Sequence, residues 1–133
     1  MILVDSSVWT DFFNGQDTPQ TDRLNDLLGN EPLGIGDLIL AEVLQGFRSD
    51  AEFRTARDLL TSLSLFQMLG IDNAIRSAEY YRLLRQRGIT IRKTADVIIA
   101  TFCIIEGHAL LFSDRDFVPF VKQLHLREVA TGS

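Results

Sequence analysis

Cysteine and histidine are almost missing from this chain. Cys103 is the single cysteine, which excludes a disulfide framework and a thiolate metal cluster. His108 and His125 are the only histidines, so a zinc site built on imidazole is short of ligands. Long apolar runs are missing too: the uncharged stretch Val97 to Ile105 falls far short of the ~20 residues that cross a bilayer. Three prolines and nine glycines fall at turn positions, with no repeat, low-complexity tract or linker between them. The opening Met1-Ile2-Leu3-Val4-Asp5 carries no basic n-region and no cleavage site, so a soluble, cytoplasmic protein with no membrane role is expected. Bases are outnumbered as well. Thirteen Lys and Arg against eighteen Asp and Glu give −5, whereas a nucleic-acid binder usually leans the other way.

What is present suits a packed globule. Hydrophobic residues make up 46% of 133 residues and charged residues 23%, which predicts one domain over 1–133. Ile2 to Val4 reads as a strand buried on both faces, and Ser6 to Phe13 as a helix left at Asn14-Gly15. A helix over Thr21 to Leu28 and a short strand over Leu33 to Ile35 follow. Asp37 to Phe47 is helical, with Leu40, Val43, Leu44 and Phe47 on one stripe. Phe53 to Leu63 continues in helical register, and Leu65 to Ile71 reads as a strand. Asp72 to Arg87 reads as a long helix capped by Asp72 and ended by Gly88. Thr94 to Glu106 is a helix apolar on most sides. Strands are expected at Leu110 to Ser113 and Glu128 to Ala130, with Pro119 early in a short helix between them. Short strands alternating with helices predict an α/β fold: a three-layer α/β/α sandwich around a short-stranded, mainly parallel sheet.

Four acids stand where acids are costly. Asp5 follows Ile2-Leu3-Val4, and Asp114 follows Leu110-Leu111-Phe112-Ser113, so both lie at carboxyl ends of strands, where open parallel sheets bind ligands. Glu42 interrupts the apolar run from Leu38 to Leu44, and Asp96 sits in the first turn of the most apolar helix. Each has a plain structural reading. Asp5 and Asp114 suit helix caps, Asp96 complements a helix dipole, and Glu42 fits an ordinary amphipathic helix. Their combination is harder to explain structurally, because carboxylates gathered in one crevice repel each other and burial raises their pKa values. Bound cations relieve that cost, and an oxygen-only ligand set selects Mg²⁺ or Mn²⁺ over zinc. Such a site orients a phosphate, lowers the pKa of a water and steadies a leaving oxygen. Phosphodiester hydrolysis is the chemistry these residues suit best.

The segments Val4-Asp5-Ser6-Ser7-Val8-Trp9, Leu40-Ala41-Glu42-Val43, Thr94-Ala95-Asp96 and Leu110 to Phe117 together resemble the PIN-domain ribonucleases. Within that family the likeness is greatest to the VapC toxins of prokaryotic type II toxin–antitoxin modules, and it covers essentially the whole chain. The resemblance implies that Asp5, Glu42, Asp96 and Asp114 hold one or two Mg²⁺ or Mn²⁺ ions. It also implies that Asp116 acts through water or behind the other acids, and that Ser6 and Ser113 are supporting hydroxyls. It implies an endoribonuclease that cuts structured RNA at a single-stranded position, leaving a 5′-phosphate and a 3′-hydroxyl. The implied partners are a VapB-type antitoxin and a second copy of the chain as a homodimer. Setting Asp5, Glu42, Asp96, Asp114 and Asp116 aside leaves thirteen acids against thirteen bases, so the charge deficit matches the site.

Arg76, Arg82, Arg85, Arg87, Arg92 and Lys93 precede Asp96 and form a candidate RNA track, with a solvated helix face and a Glu79–Arg82 pair as the plain alternative. Arg48, Arg54 and Arg57 are a weaker second track. Trp9, Phe12 and Phe13 offer a stacking surface for an unpaired base, although Trp9 fits a core better. Cys103 reads as packing. A mean hydropathy of +0.09 leaves apolar surface for a self-interface or a partner's helix. An antitoxin Arg or Lys near the acids is the expected means of inhibition. Two other functions compete: a PIN-like module that binds RNA or antitoxin without cutting, and a phosphatase with Asp5 as nucleophile. The second expects Asp-x-Asp, and Ser7 stands at its second position.

Overall fold

Ile2–Val4 forms β1, and its apolar residues place it at the centre of a sheet rather than at an edge. The computed structural model describes residues 1–131. Around β1 lie β2 (Leu33–Gly36), β3 (Ser64–Phe66), β4 (Ala109–Leu111) and β5 (Arg127–Glu128), in the spatial order β3-β2-β1-β4-β5. Every pairing is parallel. Leu3 pairs with Gly34 on one side and Leu110 on the other, so β1 and β4 end side by side.

The helices are α1 (Ser6–Phe13), α2 (Pro19–Leu27), α3 (Asp37–Leu44), α4 (Asp50–Thr61), α5 (Ile71–Gln86), α6 (Thr94–Glu106) and α7 (Val118–Leu124). A 3₁₀ turn over Arg115–Phe117 precedes α7, whose second residue is Pro119. α1 packs on α2 and α3, α3 packs on α4, and α5 pairs with α6. Connections from β1 through β2 to β3 run one way along the sheet and the return to β4 runs the other. Right-handed crossovers therefore put α1–α4 on one face and α5–α7 on the opposite face. This is the expected α/β/α sandwich, with Leu3, Val4, Leu110 and Leu111 sealed inside it. No helix of the described residues is long and apolar enough to cross a membrane.

Several boundaries differ from the sequence expectation, each for a local reason. The run Leu65 to Ile71 is a strand only through Phe66. The Met68 amide donates to Asp37 Oδ1 at 3.0 Å instead of to the ladder, and Ile71 already opens α5. Asp72 is thus a first-turn acid of α5, and Gly70 takes the cap position without a side-chain bond. Pro19 starts α2 two residues earlier than expected, where Thr18 and Thr21 form a capping box. Ser49 caps α4 by accepting from the Glu52 amide, so that helix begins at Asp50. α3 stops at Leu44 and turns through Gln45-Gly46. Its buried line is Ile39 and Val43, with Leu40, Leu44 and Phe47 only partly covered. β4 ends at Leu111, two residues short of the expected Ser113, and β5 is Arg127–Glu128 rather than 128–130.

Candidate metal centre at the carboxyl edge of the sheet

Asp5 is held by both of its neighbours. Its amide donates to Leu111 O at 2.8 Å, continuing the ladder past β1, and its carbonyl accepts from the Val8 and Trp9 amides as α1 begins. Its side chain caps α1: Oδ2 accepts from the Ser7 amide at 3.2 Å and from Ser7 Oγ at 2.6 Å. The residue is 2% exposed, and Oδ1 is buried with no partner. Asp114 is built the same way after β4, where Oδ1 caps the 3₁₀ turn by accepting from the Asp116 amide at 2.9 Å. The plain capping roles are therefore real. In each case they use one oxygen and leave the second for other work.

Glu42 projects from α3 and Asp96 from the first turn of α6, and both reach the same hollow. Asp5, Glu42, Asp96 and Asp114 line one cleft of about 420 Å³, joined by Ser6, Ser7 and Lys93. Asp116 approaches from the 3₁₀ turn, so that Asp96, Asp114 and Asp116 each offer an oxygen within 4.8 Å of the others. Four chain segments distant in sequence thus meet at one point.

The electrostatics follow from that meeting. Burial pushes the Asp5 carboxyl above its ordinary pKa, against the pull of the Ser7 hydrogen bonds. Glu42 is raised by burial and then by Asp5, with the Ser6 hydroxyl and Lys93 pulling it back. Asp96 is pushed up to about 7, first by burial and then by the charges of Asp5 and Asp114. A group of this kind has an unmet demand for positive charge. Asp5 Oδ1, Glu42 Oε1 and Asp96 Oδ2 are buried without a hydrogen-bond donor, and Asp116 Oδ2, also without one, has the Arg92 guanidinium as an ion-pair partner at 3.6 Å. Unpartnered carboxylate oxygens converging from several elements fit a hard divalent cation such as Mg²⁺ or Mn²⁺. Softer ligands are elsewhere. His108 packs between Phe66 and Phe102, its pKa lowered by burial, and the buried Cys103 thiol is pushed up to about 12.

Among the supporting residues the structure departs from the sequence reading. The hydroxyl that bonds Asp5 is that of Ser7, while Ser6 reaches Asp5 only through its backbone amide. Ser6 faces Glu42, and Ser113 Oγ lies 3.3 Å from Ser7 Oγ. The signal for Ser7 was its place two residues after a capping Asp, where a side chain turns back on the cap. Thr10, Asp11 and Gln45 also line the cleft and carried no sequence signal of their own. Of the expected RNA track, Lys93 lies in the cleft with Nζ 3.8 Å from Asp114 Oδ2, and Arg92 Nε is 3.6 Å from Asp116 Oδ2. Arg82 is exposed, Arg85 lies over the Tyr81 ring, and Arg87 donates to Gln123 at 2.8 Å. Glu79 pairs with Arg76 at 3.4 Å rather than with Arg82. Trp9 is fully buried against Phe12 and Phe13, so its ring is core and not a stacking platform.

Comparison with known proteins gives one answer. The PIN domain family matches residues 2–120. VapC ribonuclease Mb1587 of Mycobacterium bovis and ribonuclease VapC11 of Mycobacterium tuberculosis are each 31% identical over 122 residues, covering 88% of this chain and 89% of theirs. The fold is similar to VapBC2 from Rickettsia felis bound to a promoter DNA fragment, at TM-score 0.75 and 20% identity over 97% of this chain and 98% of that one. It is also similar to the sarcin-ricin-loop-cleaving toxin VapC20 of M. tuberculosis, at TM-score 0.64 and 18% identity over 89% and 93%.

Proposed function

From the premise that this chain belongs to the PIN-domain family, we propose that it is a divalent-metal-dependent endoribonuclease, the toxin of a type II toxin–antitoxin module. The observation that carries the reading is the convergence of Asp5, Glu42, Asp96 and Asp114 on one cleft, three of them with a buried, unpartnered oxygen. We read residues 1–133 as one PIN-like domain, the family match running over 2–120.

Within this reading the four acids, with Asp116 behind them, hold one or two Mg²⁺ ions, and Mn²⁺ substitutes. A bound divalent ion supplies a water of lowered pKa and a counter-charge for the leaving oxygen. The chain's own part is to aim the oxygens. Ser7 orients Asp5, and the helical backbones of α3 and α6 fix Glu42 and Asp96. With no imidazole beside the acids, no histidine base takes part, and the chain relies on the oxygen cluster. The substrate is structured RNA cut at a single-stranded position, held along the cationic residues Arg82, Arg85, Arg87, Arg92 and Lys93.

A groove of about 690 Å³ between α1, α3 and α4, lined by Phe13, Phe47 and Arg48 among others, shares Thr10, Glu42 and Gln45 with the acidic cleft. A VapB-type antitoxin lying in it would deliver a basic side chain to the acids, which explains inhibition by charge alone. The side chains of Leu65, Ile71 and Ile75, each more than half exposed, supply apolar surface for a homodimer. The test is cleavage of total RNA by purified protein in Mg²⁺ and in EDTA, with mapping of new 5′ ends. The reading expects discrete cuts in Mg²⁺ and none in EDTA. Cuts that persist in EDTA, or RNA that is shifted but never shortened, contradict it.

A further inference from the structure

Two consecutive cations at the start of α6 pair with two acids that follow β4. Lys93 Nζ stands 3.8 Å from Asp114 Oδ2, and Arg92 Nε stands 3.6 Å from Asp116 Oδ2. Both acid side chains are about three-quarters covered, while the basic side chains are 62% and 80% exposed. The Lys93 backbone is fixed by α6: its carbonyl accepts from the Asp96 amide at 3.2 Å and the Val97 amide at 3.4 Å as that helix begins. The charged end is on a four-carbon stem within a hollow whose other charged lining residues are all acids.

We propose that Lys93, seconded by Arg92, is an exchangeable counter-ion, which holds Asp114 and Asp116 in the metal-free protein and turns to an RNA phosphate beside the scissile one when a divalent ion takes those carboxylates. The inference rests on the nuclease reading for its second half and on the ion-pair geometry alone for its first. Asp114 Oδ1 is committed to the Asp116 amide, so Oδ2 is the oxygen it has left for either cation. An ammonium and a divalent ion compete for that oxygen, because their positive charges repel when both are crowded against it. The displaced ammonium remains tethered at the mouth of the cleft, where it gains a partner only if an anion arrives. A phosphodiester laid across the acids is such an anion, and a lysine is a point charge suited to it. Arg85 and Arg87 are engaged with Tyr81 and Gln123, whereas Arg92 and Lys93 form the ion pairs to Asp116 and Asp114.

The experiment is a calorimetric titration of Mn²⁺ alone into the full chain, the Lys93→Met variant and the Lys93→Arg variant at low salt, with cleavage of total RNA in saturating Mn²⁺ beside it. Lys93→Met is expected to bind Mn²⁺ about three- to tenfold more tightly, because a competitor is gone, and yet to cleave about tenfold more slowly. Lys93→Arg is expected to stay within about twofold of the parent in Mn²⁺ affinity. A residue that merely supported the fold would weaken metal binding and cleavage together. Unchanged or weaker Mn²⁺ affinity in Lys93→Met overturns the proposal, and so does cleavage equal to the parent's. A parent that binds Mn²⁺ but cuts no RNA removes the nuclease reading, and the Mn²⁺ arm still decides whether Lys93 is the competitor.

Discussion

The hydroxyl of Ser7 donates a 2.6 Å hydrogen bond to Asp5 Oδ2, turning Oδ1 of the same carboxylate into the cluster with no partner of its own. A second hydroxyl, Ser113 Oγ, lies 3.3 Å from Ser7 Oγ and links this pair to the loop that carries Asp114. Residues that orient a metal's ligands typically govern affinity by ~10–100-fold when removed. Ser7→Ala is therefore expected to weaken Mg²⁺ binding about tenfold and to slow cleavage at low Mg²⁺, with recovery at excess Mg²⁺. Ser6→Ala, which leaves Asp5 oriented, is expected to do less. A cleavage-versus-Mg²⁺ titration of both variants checks the order.

The acid cluster makes metal-free stability depend on pH in a definite direction. Asp96 has a pKa of about 7 when folded, and 3.8 is its ordinary value. The folded state then binds the extra proton between those values, so stability is fully present below about pH 4 and is lost as pH rises through 7. Asp5 and Glu42, also raised, act in the same sense. Metal-free protein is expected to melt higher at pH 5.5 than at pH 8. Added Mg²⁺ should restore pH 8 stability, and Asp96→Asn should flatten the profile by on the order of 2 kcal/mol. Thermal melts in EDTA across that range measure it.

Trp9 sits between the two readings offered for it, base-stacking platform and core, and the structure puts it in the core at 0% exposure. Trp9→Ala is expected to cost about 3–5 kcal/mol of folding stability. Trp9→Phe, which keeps an aromatic ring against Phe12 and Phe13, is expected to retain cleavage. Denaturant unfolding beside an RNA assay separates the two effects.

Much of this was legible beforehand because it depends on short-range pattern. Ile2-Leu3-Val4 reads as a strand, its Leu3 and Val4 are fully buried, and an acid directly after it lies at the sheet's carboxyl edge. Glu42 interrupts an apolar run and Asp96 opens the most apolar helix, and together with the two strand-end acids they make a purely structural reading costly. What could not be read was set by tertiary contacts. The Asp37 side chain captures the Met68 amide and cuts the expected strand at Phe66, which no periodicity encodes. Ser6 and Ser7 are adjacent and chemically identical in sequence. Only the cap geometry of α1 decides which of them bends back to Asp5. The basic run before Asp96 looked like one track, but the fold divides it: Arg85 covers a tyrosine, Arg87 meets Gln123, and Arg92 and Lys93 face acids from a loop some twenty residues on.

Asp96 is the most direct probe of the whole account, because its carboxylate caps nothing and its oxygen Oδ2 is buried without a donor. The measurement is single-turnover cleavage of total RNA in Mg²⁺ by the parent and by Asp96→Asn, with a melt of each in EDTA at pH 8. The account predicts a loss of about a thousandfold or more in cleavage together with an equal or higher melting temperature. An Asp96→Asn variant that cuts RNA as fast as the parent would contradict it.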